Sequence, residues 1–93
     1  MFSSLEEEIE LIKRHVTILR LVKELQPVGI IKLSDISGLP QHKVRYSLRI
    51  LEKKGIIKPS SSGAVITEKA EELLSNLERD IRRIKRELDE CLE

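Results

Sequence analysis

The sequence predicts a mainly α-helical chain with one small β-hairpin, and three observations carry that reading. Apolar residues recur at alternating spacings of three and four over long stretches at both ends. The middle is punctuated by Pro27, Gly38, Pro40, Gly55 and the run Pro59-Ser60-Ser61-Ser62-Gly63. Two short β-branched runs flank that last loop, Ile56-Ile57-Lys58 before it and Ala64-Val65-Ile66-Thr67 after it. The two periods, 3.6 at the ends and 2 around the loop, separate helix from strand.

The first helix is expected from about Ser4 to Leu25. Ser4 suits an N-cap, and Glu6, Glu7 and Glu8 suit the positive end of the helix dipole. Leu5, Ile9, Ile12, Val16 and Leu19 form one apolar row; Leu11, Ile18, Val22 and Leu25 form a second, so burial on more than one side is expected. Pro27 stops the helix, because the residue before a proline is pushed out of helical geometry. A short helix follows from Ile30 to about Ser37, with Ile30, Leu33 and Ile36 inward and Gly38 as its C-terminal cap. After the turn Gly38-Leu39-Pro40 a third helix runs from about Pro40 to Lys54, with Val44, Leu48 and Leu51 as its buried stripe and Gly55 as its stop. The hairpin comes next, with a loop somewhat longer than the tightest turns. A long helix closes the chain from about Thr67, a candidate N-cap, to Leu92. Its residues Ala70, Leu74, Leu77, Ile81, Ile84, Leu88 and Cys91 keep a heptad, the signature of a coiled-coil seam. At 1.5 Å per residue, ~25 residues extend past a small globular head.

With 93 residues, 40% of them hydrophobic and 35% charged, the chain fits one domain with a modest core, and a partner chain would add to it. The expected division is an N-terminal helix over 1–26, a central unit over 27–67 and the heptad helix over 68–93. No apolar run approaches the ~20 residues of a membrane span, and Met1-Phe2-Ser3-Ser4 leads straight into acidic residues, unlike a secretory signal. A soluble, cytoplasmic protein is expected. Glu, Lys, Arg and Ile abound while Gln26, Gln41 and Asn76 are the only side-chain amides, which leans towards a heat-loving source.

The net charge of +1 conceals an asymmetry. Residues 30–58 hold Lys32, Lys43, Arg45, Arg49, Lys53, Lys54 and Lys58 against Asp35 and Glu52, a net +5, while residues 1–29 carry −1 and residues 59–93 carry −3. A basic middle between acidic flanks is the electrostatic footprint of a nucleic-acid binder, or a solvated surface that happens to cluster.

Helix, short helix, glycine turn, helix, hairpin, helix is the order of a winged helix-turn-helix flanked by long N- and C-terminal helices. The run Lys32-Leu33-Ser34-Asp35-Ile36-Ser37-Gly38-Leu39-Pro40 resembles the second helix and turn of bacterial and archaeal winged-helix repressors. The run Val44-Arg45-Tyr46-Ser47-Leu48-Arg49-Ile50-Leu51-Glu52-Lys53-Lys54-Gly55-Ile56-Ile57 is similar to the recognition helix and first wing strand of MarR-like and ArsR-like regulators. The resemblance covers about 40 residues and implies a small regulator of archaeal type that binds double-stranded DNA as a homodimer.

A major groove ~12 Å wide admits one helix. With Val44, Leu48 and Leu51 inward, Gln41, His42, Lys43, Arg45, Tyr46 and Arg49 lie outward or on the flanks. Gln41 is chemically suited to adenine and Arg45 to guanine; Tyr46 and Arg49, with Lys43 and His42 in support, suit phosphates. Lys32 is a further backbone contact. Each has a plainer alternative: Tyr46 as a half-buried ring, His42 as an exposed polar residue, Lys53 and Lys54 as partners of the helix dipole. The wing departs from the pattern, because its tip is serine and glycine with only Lys58 at its base. Lys58 and Ser61 are therefore weak DNA contacts, and two copies of the recognition helix are expected to supply the affinity.

A dimer would use Leu5, Ile9, Ile12 and Val16 on the first helix with Leu74, Leu77, Ile81, Ile84 and Leu88 on the last, setting the recognition helices ~34 Å apart. The alternative is that the last helix folds back on the first within one chain. Cys91 is on the seam, as an apolar filler or, in a parallel pair, as one of two facing thiols. Nothing points to catalysis, a cofactor or a metal. His15 and Cys91 are far apart in sequence, adjacent Ser34 and Asp35 do not present a nucleophile to a base, two histidines and one cysteine lack zinc spacing, and no glycine-rich phosphate loop occurs. The competing class is a winged-helix adaptor that binds protein without DNA; the basic middle favours DNA and the serine wing favours the adaptor.

Overall fold

The structure, a computed structural model, describes residues 1–93. Its order is α1 (Phe2–Leu25), α2 (Ile30–Ser37), α3 (Gln41–Lys53), β1 (Ile57–Ser60), β2 (Gly63–Ile66) and α4 (Glu68–Asp89), with a last 3-10 turn over Glu90–Leu92. This is the expected winged helix-turn-helix: mostly helical, with one antiparallel hairpin. No helix is long and apolar enough to cross a membrane.

The core gathers where the elements converge, around Ile18, Leu19 and Val22 of α1, Leu33 of α2, Val44 and Leu51 of α3, and Ala70 of α4. Val28, Ile56 and Ile57 close it from the sheet side. Only the C-terminal half of α1 and the first turns of α4 share in this core. Residues 1–10 and 81–93 are exposed throughout, so the expectation of a first helix buried on several sides holds only near its end. The longest dimension, 51 Å against 27 and 21 Å, reflects these two projecting helices.

Four local expectations are corrected. Ser4 is not an N-cap: α1 begins at Phe2, and Ser4 Oγ donates back to the Met1 carbonyl at 3.4 Å from inside the helix. Thr67 does precede α4, but its hydroxyl donates to the carbonyls of Gly55 and Ile56 at 2.7 and 2.9 Å, tying the helix start to the end of α3 instead of capping α4. Ile36 is 51% exposed, because Leu33, with Ile30 packed partly against the core, fills the inner side of so short a helix. The wing loop is the tightest kind: Ser60 pairs with Gly63, leaving Ser61 and Ser62 as the turn.

A strand-like segment escaped the sequence. Val28 bridges Ala64 through two backbone hydrogen bonds, 3.2 Å from Val28 N–H and 2.8 Å from Ala64 N–H. Beside it, the Ile66 N–H donates to Gln26 Oε1 at 2.9 Å. One residue and one side chain thus serve as a third strand along the outer edge of β2. Because Ala64 turns its N–H and carbonyl towards Val28, its β1 partner Pro59 is at a non-hydrogen-bonded position, and the missing proline N–H faces the free edge.

Two glycines are required here for different reasons. Gly38 caps α2 at φ +75° with open space around it. Gly63 has φ +133°, and a Cβ there would come within 2.7 Å of the Val28 backbone. Gly63→Ala is therefore expected to destabilise the fold by at least about 2 kcal/mol through strain and loss of the Val28 bridge. Gly38→Ala should cost about 1 kcal/mol, from backbone conformation alone. Urea unfolding of both variants checks the order.

Candidate nucleic-acid interface

The candidate surface is built on α3, and its inner face decides its outer one. Val44, Ser47 and Leu51 are buried, at spacings of three and four, against α1, α2 and β1, while Leu48 is half-buried. The opposite face carries His42, Arg45, Tyr46, Arg49 and Lys53, all exposed; Gln41 and Lys43 are exposed in the first turn. Six of the nine DNA-binding candidates thus share this one helix. Lys32 is exposed on α2 and Lys58 on β1, the two elements that flank α3, and Ser61 is in the hairpin turn. Between α2 and α3 an open groove is lined by Ile30, Leu48, Arg45, Arg49, Glu52 and Lys53.

The charges on this surface are free. All five ion pairs of the molecule are on α1 and α4: Lys13–Glu10, Lys23–Glu71, Arg79–Asp80, Arg82–Glu78 and Arg83–Asp80. None involves a basic residue of segment 30–58. A cationic helix face with no internal counter-ion attracts an external polyanion. Lys54 differs from its neighbours, since it caps the end of α3 and its carbonyl accepts from Lys69 Nζ at 3.3 Å. The ammonium brought to the end of α3 is therefore that of Lys69.

The wing contributes little charge. Ser60 Oγ donates to the Gly63 carbonyl at 2.6 Å and accepts from the Ser62 N–H at 3.3 Å, so this hydroxyl holds the turn together. Only the Ser61 and Ser62 hydroxyls remain for a phosphate.

One feature of the site was missed in the sequence. Ser47 is fully buried, and its hydroxyl shares a hydrogen bond of 2.8 Å with His15 Nδ1 on α1. The His15 ring is also 6.2 Å from that of Tyr46, which is 42% exposed and turns one side towards α1. His15 therefore fastens the middle of α3 to α1. The signal was present: Ser47 follows Val44 by three and precedes Leu51 by four, on the inner stripe, where a polar residue needs a partner.

Burial pulls the His15 imidazole below its ordinary value of 6.5; Arg14 and Lys54 push the same way, against Glu8. The folded chain thus holds His15 neutral where the unfolded chain begins to protonate. Its contribution is complete above pH 6.5 and declines as pH falls through and below that value. Between about pH 7.5 and about 5.5, before most carboxylates titrate, the wild type is expected to lose more stability than His15→Asn. Urea titrations at the two pH values provide the check, and parallel losses in the two proteins would remove His15 from the account.

Comparison with known proteins bears on the fold and the family. No curated protein matches the chain closely enough to count as a relative. Among solved structures, the activation domain of the phage T4 transcription factor MotA is similar in fold, with a TM-score of 0.63 at 22% identity over 85% of this chain and 82% of that one. Residues 11–81, which include the whole helix-turn-helix and wing, match the family described as the CggR N-terminal DNA binding domain. The resemblance read from the third helix reached the right class, a DNA-binding regulator, though the matching family is this one. The chain belongs to the CggR N-terminal DNA-binding domain family.

Proposed function

We propose that the protein is a homodimeric transcriptional regulator that reads duplex DNA in a sequence-specific manner with α3 in the major groove. The observation that carries this reading is the exposed, unpaired cationic face of α3 in a chain whose family is a DNA-binding one. The N-terminal half of a recognition helix meets base edges. Gln41 and Arg45 accordingly read bases, while Lys43, His42, Tyr46 and Arg49 take phosphates, with Lys32 adding a contact from α2. Lys58 and Ser61 supply a minor share, because the wing hydroxyls are few and uncharged. The action is binding alone, without a catalytic step.

The homodimer draws its support from the two projecting helices. Each carries an exposed apolar row that the head does not cover. The adaptor reading rests on the wing, whose Ser60 is spent on its own turn and whose tip has no cation.

A fluorescence-anisotropy titration with pooled genomic duplexes at two salt concentrations tests the proposal. Binding that weakens steeply as salt rises is expected, since each phosphate contact contributes about 0.9 to the log–log salt slope. Absence of binding at low salt would hand the surface to the adaptor reading. Arg45→Ala combined with Arg49→Ala should weaken binding at least about tenfold while leaving the oligomeric state unchanged. An affinity within twofold of wild type would mean that the wrong face of α3 has been chosen.

A further inference from the structure

The two projecting helices are arms with an ordered charge pattern. On α1, Leu5, Ile9 and Ile12, and on α4, Ile81, Ile84 and Leu88, are 39–52% exposed, in rows that continue inward to Val16 and to Leu74 and Leu77. Rows of this kind on a surface helix belong against another element.

Within one chain the arms do not cover each other. α1 runs into the head and α4 runs out of it. They meet only near the head, where Lys23 Nζ is 3.0 Å from Glu71 Oε2 and Arg20 lines a groove with Leu74, Leu77 and Ile81. Beyond that point their apolar rows stay exposed. Outward from the head, α1 shows Arg20, Arg14 and Lys13, then Glu10, Glu8, Glu7 and Glu6. Outward from the head, the α4 arm shows Arg79, Arg82, Arg83, Lys85 and Arg86 against Asp80, a net +4 over 79–86, then Glu87, Asp89, Glu90 and Glu93, a net −4 over 87–93. Each arm thus carries a basic band followed, further from the head, by an acidic end.

We propose that two copies of this chain join arm to arm from opposite directions, so that the acidic ends of each copy's arms lie on the basic bases of the other's and the two heads sit at opposite ends. This rests on the homodimer reading and assigns its pairing. In that arrangement α1 of one copy runs beside α4 of its partner in the same direction. Glu6–Glu10 then face the basic band 79–86, while Lys13 and Arg14 face Glu87, Asp89 and Glu90. The apolar rows match in the same alignment, since both keep spacings of three and four. The competing arrangement has both heads at one end and the two α4 helices parallel and in register. It repeats like on like along the whole seam and brings Cys91 against its copy. The local pairs Glu10–Lys13, Glu78–Arg82 and Asp80–Arg83 are exposed, contribute little, and re-pair freely across an interface. Overlap of the arms, not the wing, then sets the spacing of the two DNA half-sites.

Charge reversal tests the pairing. Variant one carries Glu6→Lys, Glu7→Lys and Glu10→Lys; variant two carries Arg79→Glu, Arg82→Glu and Arg86→Glu. All six sites are exposed, so the head folds, and circular dichroism confirms it. In sedimentation equilibrium each variant alone should dimerise at least about tenfold more weakly than wild type, and an equimolar mixture should return to within about threefold of it. Oxidation of the wild type should yield no Cys91–Cys91 dimer. Variant one dimerising as well as wild type, a mixture that fails to recover, or a ready Cys91 disulfide would each overturn the pairing while leaving the homodimer standing. A wild-type monomer at micromolar concentration would remove both.

Discussion

The burial of one face of α3 is the constraint on which the rest depends. Val44, Ser47 and Leu51 turn inward together, and they meet two kinds of support. The two apolar residues pack into the common core with Ile18, Val22 and Leu33. Ser47 instead meets His15, a polar contact inside an apolar setting that fixes both the rotation and the height of α3 on α1. A helix held from one side by three elements cannot roll, so its opposite face is decided before any ligand arrives. That is why the free cations of segment 30–58 form a surface instead of a scatter.

The sheet serves the same end by different means. A two-stranded hairpin alone is marginal in water. Here it gains an outer neighbour from Val28 and from the side chain of Gln26, and an anchor from Thr67, whose hydroxyl joins the end of α3 to the start of α4. Gly63 permits the close approach on which the Val28 bridge depends. The wing is thus well built and poorly charged. It is a structural brace for α3 more than a charged surface of its own, and the proposed DNA contact therefore rests chiefly on α3.

In the proposed homodimer the arms supply the duplication. Apolar rows say only that something covers them, and electrostatics chooses what. Exposed charge pairs are individually weak, but an ordered run of sign along a helix selects one alignment against others. In the proposed pairing, that order fits α1 and α4 to a second chain approaching from the far side. The Lys23–Glu71 pair near the head marks where the arms part.

Much of this was legible in the sequence. The helices, the hairpin, the Gly38 cap, the buried stripe through Val44 and Leu51, and the cations opposite it all follow from periods and turn residues, which are local and repeat over many positions. What the sequence could not show is long-range. Val28 is a single residue with no strand pattern, and becomes one only because Ala64 arrives beside it. Ser47 reads as an ordinary polar residue until His15, 32 positions earlier, is brought within 2.8 Å. Thr67 and Ser4 looked like caps because capping is a local preference, but each hydroxyl donates to a carbonyl instead, that of Ser4 three positions back and that of Thr67 to Gly55 and Ile56 across the hairpin. The sequence by itself determined which faces are apolar and which are charged. Only the tertiary structure decided which apolar faces the head consumes and which it leaves exposed, because that depends on where α1 enters the core and where α4 leaves it.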